Sequence, residues 1–345
     1  MLFSLYPTDA PETRRRVVEQ AAAQPVPVGG APLLFTSLHL PESAELDAFG
    51  DVLAGFHEEF GVVYCADISP LTLERLGAGS EGLARLAEWG VSMLRIDFGF
   101  DASEIAEIAE TSGLGIAVNA STADDALLDA LEGLPLIGWH NYYPRPETGL
   151  TEAFYLSQTA RFTARGLPVF AFLPGETDLR APLHLGLPTL EVQRHRNAWR
   201  NYLELRRLTP DAVVVCAEGA LLPEHAAWIA HLEKTGEVTV PLTQEASASF
   251  LAGETRRLRV EDTATSFRLD GTRGMPRPGS VRNADMRARG SLQMDLDALG
   301  RYAGEVHLMR ADLPLTGQQA WVGEIAGPYR GIVDELRPGM TVRFV

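Results

Sequence analysis

The chain has 345 residues, with 30 Lys+Arg against 46 Asp+Glu, a formal net charge of -16, and 46% apolar residues. That composition suits a globular chain of more than one domain, and its acidic field argues against a nucleic-acid or anionic-membrane binder. No apolar run approaches the ~20 residues that span a bilayer, and the opening Met1-Leu2-Phe3-Ser4-Leu5-Tyr6 has neither a basic leader nor a small-residue cleavage site, so the expected compartment is the cytoplasm.

Along the first part of the chain, short apolar runs alternate with segments of helical period. Strands are expected at 2–6, 32–40, 62–69, 93–99, 115–121, 136–143, 168–174 and 212–218. Leu46, Phe49, Leu53, Phe56 and Phe60 keep helical spacing after Pro41-Glu42-Ser43. Ile105, Ile108 and Ala109 do the same after Asp101-Ala102-Ser103. Ser69-Pro70 and Ser121-Thr122 read as helix starts, each with a capping hydroxyl. Eight strand–helix units predict an α/β fold, a (β/α)8 TIM barrel over residues 1–236. After Gly236 the pattern changes to short strand-like runs broken by Gly and Pro, at 257–260, 291–296, 304–309, 319–325 and 340–345. This predicts a second, smaller, mostly β domain over residues 237–345.

Two residue types exclude chemistry. Lys234 is the only lysine, and it lies in a polar helix end. Schiff-base aldolases and pyridoxal-phosphate enzymes, which need a lysine in a pocket, are therefore excluded. Cys65 and Cys216 each fall inside an expected buried strand, where a free thiol behaves as a small hydrophobe. There is no Cys-x-x-Cys pair and no disulfide framework.

Strand side chains alternate between the helix layer and the barrel interior. In 93–98, Leu94, Ile96 and Phe98 form the apolar outer face, so Arg95 and Asp97 point inward. In 62–69, Tyr64, Ala66 and Ile68 face out, and Cys65, Asp67 and Ser69 face in. Asn119 and Ser121 face in on the fifth strand. On the second, Ser37 and His39 oppose Leu38 and Leu40. On the sixth, His140 and Tyr142 share a face. All lie toward C-terminal strand ends, where barrel enzymes build their sites. Arg95, Asp97 and Asp67 could simply pair with one another, since a buried charge costs several kcal/mol unless paired. An inert barrel, however, would fill this layer with Val, Ile and Leu. The stretch His140-Asn141-Tyr142-Tyr143-Pro144-Arg145-Pro146-Glu147-Thr148-Gly149 is dense in aromatic and hydrogen-bonding groups that suit a sugar ring and an anion. The long loop that carries Glu176, Arg180 and His184 reads as a substrate-covering segment.

Several of these segments are similar to those of one family. They are Phe35-Thr36-Ser37-Leu38-His39-Leu40-Pro41-Glu42, Asp67-Ile68-Ser69, Leu94-Arg95-Ile96-Asp97-Phe98-Gly99, Asn119-Ala120-Ser121-Thr122, the run 140–150, and Gly186-Leu187-Pro188-Thr189-Leu190-Glu191 with His195-Arg196. The chain resembles the bacterial 6-phospho-N-acetylmuramidases, and the likeness continues through Gly300-Arg301-Tyr302-Ala303-Gly304-Glu305-Val306 and Arg310-Ala311-Asp312-Leu313-Pro314. The resemblance implies a barrel followed by a cyclophilin-like β domain, and cytoplasmic cleavage of 6-phospho-N-acetylmuramyl-N-acetylglucosamine in cell-wall (peptidoglycan) recycling. Two departures stand out. Phe3-Ser4-Leu5-Tyr6 replaces a glycine-containing first strand, and Ala217-Glu218-Gly219 stands where Gly-Asp is expected.

Glycoside hydrolysis usually needs two carboxyl groups. Asp97 is the first choice, with Asp67 as partner and Glu147 as the alternative acid from the loop above. The substrate's phosphate and lactyl carboxylate need cations. Arg95, Arg145 and Arg180 are the barrel candidates, and Arg282 is one from the second domain. His39 and His140 are expected at sugar hydroxyls and Asn119 and Tyr143 at the acetamido group and a ring face. Ser37, Ser121 and Asn141 complete the binding set. The scheme requires no metal or cofactor. Its only partner is a small phosphorylated amino sugar, and it is compatible with a homodimer. Two alternatives stay open. One is a metal-dependent barrel hydrolase or sugar isomerase with Asp67, Asp97, His39 and His140 as ligands, against which the first strand has no His-x-His pair. The other is a sugar-phosphate binding protein without catalysis.

Overall fold

A computed structural model describes residues 1–24, 30–38, 46–77, 80–247, 251–276 and 286–345, with residues 80, 81, 246 and 247 described by their backbone alone. His39 and Arg282, both expected in the site, lie outside the described residues.

Eight parallel strands close into a barrel in chain order: β1 (Leu2–Leu5), β2 (Leu33–Ser37), β3 (Val63–Ile68), β4 (Val91–Ile96), β5 (Gly115–Asn119), β6 (Leu136–Trp139), β7 (Val169–Leu173) and β8 (Val213–Cys216), with β8 pairing back onto β1. The helices that follow them are α1 (Pro11–Ala22), α2 (Leu46–Phe60), α3 (Pro70–Leu76), α4 (Ser80–Glu88), α5 (Ala102–Ser112), α6 (Asp125–Ala130), α7 (Glu152–Thr163), α8 (Ala198–Leu208) and α9 (Pro223–Thr235). This is a TIM barrel. The local signals act as expected at two helix starts. Ser69 precedes Pro70, and its backbone N–H donates to the Thr72 hydroxyl at 3.2 Å. Asp101 accepts from the Ser103 and Glu104 amides, each at 2.9 Å. Ser121 does not cap a helix. Asp124 does, accepting from the Leu127 amide at 2.9 Å, which leaves the Ser121 hydroxyl for other partners.

The barrel interior is aromatic. Phe35, Trp139, Phe170, Phe172 and Tyr6 are buried there with Cys65 and Val215. Ring centroids lie 5.1 Å apart for Phe35 and Phe172 and 4.7 Å for Trp139 and Phe170. Such rings supply much of the apolar burial that offsets chain entropy. Above them runs a level whose Cα partners are Ser37, Asp67, Arg95, Ala117 and Ile137. On β6 the interior position is Trp139, and Gly138 lets α7 approach: a Cβ there would stand 2.5 Å from the Phe162 ring.

Two facing expectations are corrected. His140 does not share the inner face with Tyr142. Trp139 already fills the interior and the strand ends there, so His140 turns toward α7 while Tyr142 packs on the inner aromatic cluster. Phe98 is not on the helix-facing side. β4 stops at Ile96, and Phe98 lies beyond it, 60% exposed.

The chain divides into two compact units, Met1–Ala226 and Ala227–Val345, earlier than the composition break and inside α9. The second unit holds β9 (Glu237–Val240), α10 (Gln244–Ser247), β10 (Thr255–Arg257), β11 (Ser266–Arg268), β12 (Met286–Arg287), β13 (Ser291–Asp295), β14 (Val306–Met309), β15 (Leu313–Pro314), β16 (Gln319–Glu324) and β17 (Thr341–Phe344). They form a three-stranded sheet β10-β17-β9, a four-stranded sheet β11-β14-β13-β16 and the pair β12-β15. The strands absent from the sequence reading, β9, β11, β12 and β15, are two to four residues long, too short to display a period of two. No described helix is long and apolar enough to cross a membrane.

Candidate active site at the barrel rim

The strand alternation brings Arg95, Asp67 and Asp97 together at the C-terminal rim. Arg95 is 1% exposed. One of its terminal nitrogens, Nη1, donates to Asp67 Oδ1 at 2.7 Å and to Asp97 Oδ1 at 3.2 Å. Its Nε and Nη2 both reach the Trp139 carbonyl at 3.3 Å, and Nη2 also meets the Asn141 side-chain oxygen. Burial alone would drive a guanidinium toward its neutral form, but Asp67 and Asp97 overcome it and hold the Arg95 proton more tightly than usual. The two carboxylates differ in access. The Asp67 side chain is 4% exposed and that of Asp97 18%. Asp97 is therefore the one that a ligand at the rim can reach. Asn119 fixes it, donating from Nδ2 to Asp97 Oδ1 at 2.9 Å while its own oxygen accepts from the Ser121 amide at 3.0 Å. Ser37 is fully buried in register with Asp67.

Behind this group stands a polar strut. The Ser121 hydroxyl accepts from the Asn141 amide at 2.9 Å and meets His140 Nδ1 at 3.1 Å, while His140 Nε2 meets the Thr159 hydroxyl of α7 at 3.0 Å. Desolvation, helped by Arg95, pushes the His140 pKa down to about 3, so the ring is neutral. His140 is thus a brace between β6 and α7, with its two ring nitrogens engaged by Ser121 and Thr159. Among the described residues no group of three His, Cys, Asp or Glu side chains is placed to hold a metal ion. Cys65 lies among the interior rings, and burial raises its thiol well above the ordinary range, which makes it a poor nucleophile.

The loops place the remaining residues. Tyr143 is half-buried, with its amide on the Pro188 carbonyl at 3.0 Å. Burial raises its phenol, against an opposing hydrogen bond from Ser121. Arg145 and Glu147 are exposed, and Glu147 adopts φ 68. Their loop is clamped by Glu191, which accepts from the Glu147 amide at 2.9 Å and the Gly149 amide at 2.7 Å. Arg194 holds Glu191 in turn at 2.6 and 2.7 Å, and this keeps the Glu191 carboxyl at about 2. Glu176 is a brace rather than a rim carboxylate. It accepts from the Ala198 and Leu222 amides, each at 3.0 Å, and meets His225 Nδ1 at 2.7 Å. Although burial would raise its carboxyl, His225 and those amides hold it below the usual range.

A second group, which the alternation argument missed, closes the rim between β7, β8 and β1. Arg180 is 9% exposed, and its guanidinium lies 4.5 Å over the Tyr6 ring. Its backbone amide donates to Glu218 Oε2 at 2.6 Å. The Tyr6 hydroxyl donates to the Ala217 carbonyl at 2.7 Å and also meets the Tyr142 hydroxyl. The Tyr6 amide donates to Asp9 Oδ2 at 2.8 Å. Burial raises both acids of the group, Asp9 to about 6 and Glu218 to about 7.

The barrel matches a family model described as 6-phospho-N-acetylmuramidase, N-terminal, over residues 3–225. No curated protein matches the chain. Among solved structures, a conserved protein of unknown function from Enterococcus faecalis aligns with TM-score 0.80 at 24% identity, covering 100% of this chain and 95% of that one. An uncharacterized B. cereus protein aligns with TM-score 0.76 at 23% identity, covering 99% and 98%. At these identities both show that the fold is shared.

Proposed function

The chain belongs to the 6-phospho-N-acetylmuramidase family, and from that premise we propose that it is a cytoplasmic glycoside hydrolase that cleaves 6-phospho-N-acetylmuramyl-N-acetylglucosamine, or a closely related phosphorylated amino-sugar disaccharide, in cell-wall recycling. The observation that carries the reading is the accessible Asp97 carboxylate, held at the barrel rim by Arg95 and Asn119. Asp97 serves the anomeric carbon, whether by attack, by activating water or by orienting the acetamido group. Asp67 keeps Arg95 charged and aimed. Asn119, bonded at both ends, orients Asp97. Arg180 and Arg145 supply the cations for phosphate and lactyl carboxylate. Tyr143 and the exposed Phe98 offer ring faces to the sugar, and Glu147 lies on the loop above. The test is incubation with the 6-phosphorylated muramyl disaccharide and with its unphosphorylated form. Selective release of N-acetylglucosamine from the first is expected. Equal cleavage of both would contradict the role given to the arginines, and cleavage of neither would contradict the activity.

A further inference from the structure

The Arg95 cluster lacks one thing that glycoside cleavage needs. Asp67 and Asp97 both accept hydrogen bonds from one nitrogen of the Arg95 guanidinium, so the cluster offers acceptors, and a proton for the leaving oxygen has to come from another group. The group across the barrel is different. β8 stands opposite β4 in the eight-stranded ring, and at its C-terminal end Glu218 is 1% exposed. Its Oε2 accepts from the Arg180 amide and the Leu187 amide also faces the carboxyl, but Oε1 is buried with no hydrogen bond. A buried carboxyl oxygen with no protein partner is open to a hydrogen bond with a ligand. The charged groups facing it are Asp9 from the loop after β1 and Arg180 from the loop after β7. Cys216 and Glu176 lie next along the same wall.

We propose that Glu218 is the proton donor to the leaving group, working from β8 while Asp97 works from β4. The proposal rests on the hydrolase reading above. In the step, the bond between the anomeric carbon and the glycosidic oxygen breaks, and its electron pair stays on that oxygen. The oxygen takes the proton of Glu218 and leaves as the hydroxyl of N-acetylglucosamine. Water supplies the hydroxyl that ends on the anomeric carbon, and its other proton restores the acid through solvent. Burial keeps the Glu218 proton in place up to about pH 7. The Asp9 charge raises it further and Arg180 lowers it.

A leaving-group comparison tests this in the full-length protein. Wild type and Glu218→Gln are assayed on the phosphorylated disaccharide and on the 4-nitrophenyl 6-phospho-N-acetylmuramide, whose leaving group departs without protonation. The expected loss is about 10²- to 10⁴-fold on the disaccharide and far less on the aryl glycoside, and the fall in the wild-type rate above neutral pH vanishes in the variant. Equal loss on both substrates, or a variant that keeps the alkaline fall, overturns the proposal while leaving the hydrolase reading intact. A wild type inactive on both substrates overturns that reading and this proposal with it. Asp9→Asn gives a second measure that does not depend on Glu218→Gln folding. Removing the Asp9 charge is expected to move the alkaline fall to lower pH, and a fall that stays in place contradicts the assignment.

Discussion

Arg95 places two carboxylates on one nitrogen inside an aromatic barrel, so its removal does more than delete a contact. It would leave Asp67, almost wholly buried, without its countercharge. Arg95→Met is expected to cost about 3–5 kcal/mol in chemical denaturation. Arg95→Lys is expected to recover only part of that, since an ammonium cannot span Asp67, Asp97 and the Trp139 carbonyl together. A loss below about 1 kcal/mol would mean that the network is dispensable. Glu218 acts in the opposite sense. Its folded carboxyl titrates at about 7 against an ordinary 4.5, so between those values the unfolded chain releases a proton that the folded chain keeps. Stability therefore falls as pH rises through that window and levels off above it. The contribution is up to about 3 kcal/mol, taking 1.36 kcal/mol per pKa unit. Glu218→Gln is expected to remove this slope and to be more stable than wild type at pH 8, measured by denaturation at pH 5 and pH 8, even as turnover falls. A variant less stable than wild type at pH 8 would mean that Glu218 serves the fold instead.

At the scale of elements, the rim depends on two loops being tied to each other. The Arg194 side chain is 1% exposed. It donates to the Gly186 carbonyl at 2.8 Å and the Tyr143 carbonyl at 3.0 Å while gripping Glu191, which holds the Glu147 and Gly149 amides. One guanidinium thus fixes the loops after β6 and β7 against each other. Arg194→Ala is expected to raise KM by about tenfold or more, with kcat less affected, because it loosens positioning and leaves the reacting groups in place. Unchanged KM would contradict the clamp. The same elements show how much the sequence could say. Alternation within β3, β4 and β5 located Asp67, Arg95 and Asn119, because the facing of a strand residue is written in the strand's own period, and it carried over to Asp97, one residue past the end of β4. It failed at His140, one residue past the end of β6, where the period no longer applies. It did not single out Glu218, which falls in the strand expected at 212–218 but lies two residues past the end of β8, and it could not find Asp9 or the Arg194 clamp, which lie on loops with no period to read.

At the scale of the molecule, the barrel unit and the family match cover nearly the same residues, 1–226 and 3–225. The described residues proposed for the chemistry therefore all lie in the barrel unit. With a net charge of -16, the protein as a whole would repel the anionic sugar proposed as its substrate, and recognition would have to come from arginines set locally at the rim. The central claim is that the rim carboxylate Asp97 cleaves the glycosidic bond. Its most direct test is the steady-state rate of Asp97→Asn on the phosphorylated disaccharide, beside wild type and with thermal melts of both. The account predicts a loss of about 10²-fold or more in a protein that still melts cooperatively, and turnover within a few-fold of wild type would contradict it.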